Sequence, residues 1–133
     1  MVPVLRGDLA SFDRIKPGGF RILWALDEAV TLLYQDLTIT CGTEDHPPDD
    51  PHTRGEAYDV RVRDLQPEQV VKLVIALRSK LGPLFTVLLE TPHAFTNPQL
   101  VALQTLNPHA TAPHVHVQVR QDASYPQLEG SLA

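Results

Sequence analysis

The segment His114–Val119 alternates strictly between polar and valine side chains. Because successive side chains of a β-strand point to opposite faces of its sheet, the alternation predicts a strand with one buried and one polar face. The three valines are expected in a core, and the polar residues His114, His116 and Gln118 on the opposite face. A chain with this strand therefore places two imidazoles side by side on one surface of a sheet.

The remaining elements frame that strand. Apolar periodicity and helix-terminating residues predict helices at 20–34, 67–81 and 97–106, and further strands at 37–41, 57–62 and 84–90. The second helix is the best marked, since Pro67 suits a first turn and Gly82-Pro83 a helix end. The order predicts the α+β class: a small, mostly antiparallel sheet with helices packed on one side.

Length and charge narrow the class of protein further. The 133 residues predict a single domain, with a lead-in at 1–18 and a loose tail at 122–133. The formal net charge of −5 argues against binding to nucleic acid or anionic membranes, because both bind proteins mainly through clustered Lys and Arg. No stretch approaches the roughly 18 apolar residues of a membrane span. No signal-peptide core is evident, so we expect synthesis in the cytoplasm.

Histidines and carboxylates are the only plentiful candidates for metal ligands. Cys41 is the single cysteine, which excludes a zinc cage of several thiolates. A catalytic zinc takes three protein ligands from His nitrogen and Asp or Glu oxygen and keeps a fourth position for water. His52, Asp59 and His116 would supply that set. His114 shares the face of His116 and would then stand beside the bound water.

The spacing around these residues resembles a known family. Ile39-Thr40-Cys41-Gly42 precedes His52-Thr-Arg-Gly-Glu-Ala-Tyr-Asp59, and a His-x-His pair follows late in the chain. The pattern is similar to that of zinc metallopeptidases that include D-alanyl-D-alanine carboxypeptidases, L-alanyl-D-glutamate endopeptidases of phage lysins, and the hedgehog signalling domain. The resemblance covers roughly residues 20 to 120.

This resemblance implies a fold, an activity and residue roles. It implies a hedgehog-like zinc peptidase that hydrolyses an amide bond in peptidoglycan stem peptides and is released to the cell wall as phage lysins are. In some members a Glu ends the strand beside the His-x-His strand, which makes Glu90 the expected general base. The lysostaphin type implies His114 as the base instead. Arg54 is the candidate for binding a substrate carboxylate, and segment 91–112 is interpreted as an insertion near the cleft.

Two departures from the pattern leave another function open. The family often has an Arg after its Ser-Gly pair, whereas Thr43-Glu44-Asp45 follows here, and Pro113 stands where many members carry an acid. The alternative is a non-catalytic, zinc-stabilised binding or structural module of a phage or cell-wall assembly. A zinc hydrolase acting on a different amide is a third interpretation.

Overall fold

A computed structural model describes residues 2–7, 12, 15–41 and 55–120. The described residues form three helices and six strands. The helices are α1 (Pro17–Leu33), α2 (Pro67–Leu81) and α3 (Pro98–Leu103). The strands are β1 (Leu5–Gly7), β2 (Leu37–Cys41), β3 (Ala57–Arg61), β4 (Phe85–Thr91), β5 (Gln104–Leu106) and β6 (His114–Val119).

The six strands form one sheet in the order β1-β2-β3-β6-β4-β5. The central pairs are antiparallel, and the two edge pairs, β1 with β2 and β4 with β5, are parallel. The α+β class is confirmed, but the expectation of a mostly antiparallel sheet is wrong, because the sheet is mixed. The difference comes from two three-residue edge strands that are too short to show a periodicity in sequence.

The hydrophobic core lies against one face of the sheet. Val115, Val117 and Val119 of β6 are buried, as the alternation predicts, together with Tyr58 and Val60 of β3. Helices α1 and α2 pack against each other and supply the other half of this core. The polar positions of β3, β4 and β6 consequently point to the opposite face. No helix among the described residues is long and apolar enough to cross a membrane.

Helix α2 has the bounds that its sequence predicts. Pro67 takes the first helical position, and the Gln69 side chain accepts a hydrogen bond from the backbone N–H of Gln66. At the other end Gly82 adopts a positive φ of 78°, which favours glycine, and its N–H donates to the Arg78 carbonyl. Both ends therefore satisfy backbone groups that a helix leaves unpaired.

Helix α1 begins at Pro17, three residues before the predicted start. Gly18 and Gly19, which precede the predicted helix, are both buried in its first turn. A Cβ at Gly19 would collide with the carbonyl oxygen of Gly55, which also accepts a hydrogen bond from Lys16 N–H at 3.2 Å. The glycine is thus needed for a close approach between the start of α1 and the residues that lead into β3.

The third helix is shorter than predicted. Asn97 caps it as expected, its side chain accepting from the backbone N–H groups of Gln99 and Leu100. The helix then ends at Leu103, and the next three residues run parallel to β4 as β5. Gln104 turns the chain and accepts a hydrogen bond from the backbone N–H of Phe95. Pairing with a distant strand, which local propensity does not report, overrides the helical pattern here.

Candidate metal centre

Three adjacent strands bring the polar side chains together. In the register of the sheet, Asp59 of β3 lies opposite His116 of β6, and Glu90 of β4 lies opposite His114 of β6. Side chains directly opposite each other on antiparallel strands share a face. The alternation of β6 and its antiparallel neighbours thus builds one polar surface on the side of the sheet opposite the core.

Asp59, His114 and His116 lie close enough to hold a metal ion, with one possible ligand atom from each within 4.8 Å of the others. Asp59 Oδ1 is 2.7 Å from His116 Nδ1 and 3.7 Å from His114 Nε2. Ligand atoms at zinc distances in a tetrahedral site lie about 3.3 Å apart, which these separations bracket. Two imidazoles and a carboxylate also match the donor chemistry that zinc takes in catalytic sites.

His114 is held by hydrogen bonds at both ring nitrogens. Nε2–H donates to Glu90 Oε1 at 2.9 Å, and Nδ1–H donates to the Ala112 carbonyl at 3.0 Å. Burial lowers the pKa of His114, but the Glu90 hydrogen bond and the charge of Asp59 outweigh burial and raise this pKa above its ordinary value of 6.5. The ring therefore favours the imidazolium form when only protein groups surround it.

His116 has the same arrangement with different partners. Nδ1–H donates to Asp59 Oδ1 at 2.7 Å, and Nε2–H donates to Gln118 Oε1 at 2.6 Å. Burial again lowers the pKa of the ring, and the hydrogen bond and charge of Asp59 more than compensate, so that the pKa of His116 is raised. With 13% of its side chain exposed, this ring remains reachable from the surface.

Glu90 completes the cluster with a carboxylate in its charged form. The hydrogen bond from His114 outweighs burial and lowers the pKa of Glu90 below its ordinary value of 4.5. When both rings are protonated, two imidazolium groups face two carboxylates in a charge-balanced group. A metal ion that binds the rings would have to replace protons on their nitrogens, since only a deprotonated nitrogen can be a ligand.

The structure brings together four of the six residues that the sequence singles out. Asp59, Glu90, His114 and His116 share one surface, while His52 and Arg54 lie outside the described residues. The pattern assigned His114 to catalysis, and its ring nitrogen also lies within reach of a metal held by the other two residues.

Gln118 is a member of the cluster that the sequence reasoning missed as a functional residue. It was expected only to share the polar face of β6, and its side chain in fact contacts His116. The signal available in sequence was its position two residues after His116, which places both on one face of the strand.

Comparisons of the chain with models of protein families, with curated proteins and with solved structures find no match.

Proposed function

We propose that the protein is a zinc-dependent peptidase that hydrolyses an amide bond in peptidoglycan stem peptides. The observation that carries the proposal is the cluster of Asp59, His114 and His116, with Glu90 hydrogen-bonded at its edge. The substrate class rests on the resemblance of the spacing from His52 to Asp59 to cell-wall metallopeptidases. The hedgehog-like fold that this resemblance implies is part of the same proposal.

Asp59 and His116 belong to both ligand sets that the chain offers. The described residues complete the set with His114, and the sequence pattern completes it with His52. Zinc in such a site supplies a Lewis acid and lowers the pKa of a bound water to about 7. Comparing substitutions of His52 and His114 separates the two sets, because removal of a ligand should lower the zinc content far more than removal of a residue that only lies beside the site.

Glu90 is proposed to move the proton, and His114 to stabilise the negative charge that develops. During hydrolysis the amide C–N bond breaks, a hydroxyl adds to the carbonyl carbon, and the leaving amine takes up a proton. Glu90 Oε1 accepts the proton that water gives up and returns it to the amine. Where His52 completes the ligand set, His114 Nε2–H donates a hydrogen bond to the developing oxyanion. Arg54 is proposed to bind a carboxylate of the stem peptide.

The test separates metal binding from catalysis in purified variants. Asp59→Asn and His116→Ala are expected to lose both bound zinc and the release of new amino groups from purified peptidoglycan. Glu90→Gln is expected to keep its zinc and lose about 10²–10⁴-fold in rate, because the proton acceptor is gone. Asp27→Asn, on the exposed surface of α1, is the matched control and should change neither.

Two results would contradict the proposal. The first is wild-type protein, purified without chelator, that contains no zinc and gains none on dialysis against zinc. The second is zinc-loaded Glu90→Gln protein that cleaves peptidoglycan as fast as the wild type. Zinc content is measured by elemental analysis, and cleavage by amino-group release.

A non-catalytic, zinc-stabilised module is the second candidate, and one contact favours it. Glu90 Oε1 lies 2.9 Å from His114 Nε2, so this carboxylate oxygen holds a ring of the cluster and is not free to accept a proton from water. If Glu90 acts only in this way, Glu90→Gln weakens zinc binding, and the wild type releases no amino groups from peptidoglycan. The two candidates thus differ in the outcome of the same experiment.

A further inference from the structure

Gln118 touches the metal cluster from the far side of the His116 ring. Its Oε1 lies 2.6 Å from His116 Nε2, while the other ring nitrogen, Nδ1, faces Asp59 Oδ1 at 2.7 Å. Gln118 is half-buried in β6, two residues after His116 and on the same face. The two acceptors therefore hold the ring between them along the strand.

An imidazole that binds a metal through one nitrogen keeps its proton on the other. The oxygen of an amide accepts hydrogen bonds and does not donate them, so the nitrogen that faces Gln118 Oε1 keeps its proton. Nδ1 is then the nitrogen left with a lone pair, and it is the one directed toward Asp59.

We propose that Gln118 is a positioning residue that keeps the proton on Nε2 of His116 and thereby presents Nδ1 of that ring to the metal. The inference rests on the metal-dependent function proposed above, and it concerns how the ligand is oriented rather than which bond is cleaved. Strand β6 would then carry both the ligand, His116, and the residue that orients it, Gln118, on the same face.

The other histidine is held in the same manner by the backbone. The Ala112 carbonyl accepts from His114 Nδ1–H, which directs Nε2 of that ring toward Asp59 and Glu90. Each ring thus has one nitrogen on a neutral acceptor and one on the cluster of carboxylates. Partners of this kind fix the tautomer and ring orientation of metal-bound histidines. The backbone carbonyl cannot be removed by substitution, and Gln118 can.

The length of the side chain matters for this contact. Residues two apart on a strand are separated by about 6.6–6.8 Å along it, so the Gln118 side chain has to lean back to reach His116. Glu has the same length and an acceptor at the same place. Leu has a similar volume and no acceptor. These two substitutions therefore distinguish the effect of the hydrogen-bond acceptor from the effect of side-chain volume.

The first test measures zinc affinity by competition with a chromophoric chelator. Gln118→Leu is expected to bind zinc about 10–100-fold more weakly, and Gln118→Glu to restore binding. Thr86→Val is the control, since Thr86 lies opposite Gln118 on β4 and its hydroxyl makes no hydrogen bond to His116 within the described part of the chain. Thermal unfolding of each metal-free variant shows whether it is folded.

The second test determines which nitrogen of His116 binds zinc in the wild-type protein, so it does not require any variant to fold. Long-range ¹H–¹⁵N correlation spectra of the zinc-loaded protein should show Nδ1 of His116 coordinated and Nε2 protonated. Coordination through Nε2, or a folded Gln118→Leu protein with unchanged zinc affinity, overturns the inference and leaves the proposed function intact. Wild-type protein that binds no zinc overturns both.

Discussion

Protons and a metal ion compete for the same ring nitrogens in this cluster. His116 Nδ1 and His114 Nε2 each face a carboxylate, and the pKa of both rings is raised. A cation that enters between them must displace those protons, so binding is weakened wherever the rings are protonated. The metal-free and metal-loaded states are consequently expected to respond to pH in opposite directions.

The metal-free protein should lose stability as the pH rises above 6.5. The raised pKa of His114 and His116 gives a contribution that is complete below 6.5 and lost as pH rises through the folded-state pKa. The lowered pKa of Glu90 gives one that is complete above 4.5 and lost as pH falls through its folded-state pKa. These groups therefore stabilise the fold most between 4.5 and 6.5.

Urea unfolding of chelator-treated protein at pH 5.5 and pH 8.5 measures this effect, and zinc affinity at the same two pH values should rise as stability falls. The double variant His114→Gln/His116→Gln is the control and should show a smaller loss of stability between the two pH values. A wild-type midpoint that rises toward pH 8.5 would contradict the assignment of these rings.

At the residue scale, the sequence predicted that the site is built from histidines and carboxylates, but it did not predict every residue that belongs to the site. The alternation of β6 predicted that His114 and His116 share a face, and the resemblance to zinc metallopeptidases implied Glu90, which lies opposite His114 on β4. Gln118 was not singled out, because an amide two residues from a histidine is ordinary on a polar strand face. Its role appears only in the side-chain hydrogen bond.

At the scale of elements, the sequence predicted the helices and strands whose ends are marked by their own residues. The bounds of α2 follow from Pro67 and Gly82, and those of β6 from its alternation. Strands β1 and β5 could not be predicted, because each is three residues long and exists through pairing with a distant strand. The early start of α1 depends likewise on a tertiary contact, between Gly19 and Gly55.

Gly19→Ala should destabilise the protein although alanine is the better helix former. The substitution gains about 1 kcal/mol in helix propensity. A Cβ at this position collides with the carbonyl oxygen of Gly55, and overpacking of this kind costs about 1–3 kcal/mol. The two figures give a net loss of up to about 2 kcal/mol in the free energy of unfolding, and we expect the upper part of this range because a backbone atom cannot move aside as a side chain does.

Urea denaturation measures that loss. Glu28→Ala, at an exposed position of α1, is the matched control and should stay within about 0.5 kcal/mol of the wild type. The Gly55 segment leads into β3, so Gly19→Ala should also weaken zinc binding by displacing Asp59. Unchanged or increased stability of Gly19→Ala would show that the close approach between Gly19 and Gly55 does not require a glycine.

At the scale of the whole molecule, the sheet separates the core from the candidate metal centre. The buried valines of β6 face α1 and α2, and the histidines between them face the other side. The class of the fold could be predicted, since helices and strands each show their period in sequence. The parallel pairing at both edges could not, because strand direction is set by the path of the connections rather than by residue pattern.

This separation predicts that removal of zinc leaves the fold intact. The core consists of side chains that make no use of the metal, so the chelator-treated protein should keep its far-UV circular dichroism and unfold cooperatively. Saturating zinc should raise the unfolding temperature only by the amount that its binding to the folded state accounts for. Loss of the far-UV signal on chelation, as in zinc fingers, would show instead that the metal is part of the folding core.

The position of β6 has a consequence for how the protein is made. It comes last along the chain among the described strands, yet it lies in the middle of the sheet, between β3 and β4. Asp59 and Glu90 leave the ribosome before either histidine, and they lie on strands that are joined to each other only through β6. A nascent chain is therefore expected to lack the proposed metal centre until β6, the last of the described strands, completes the sheet.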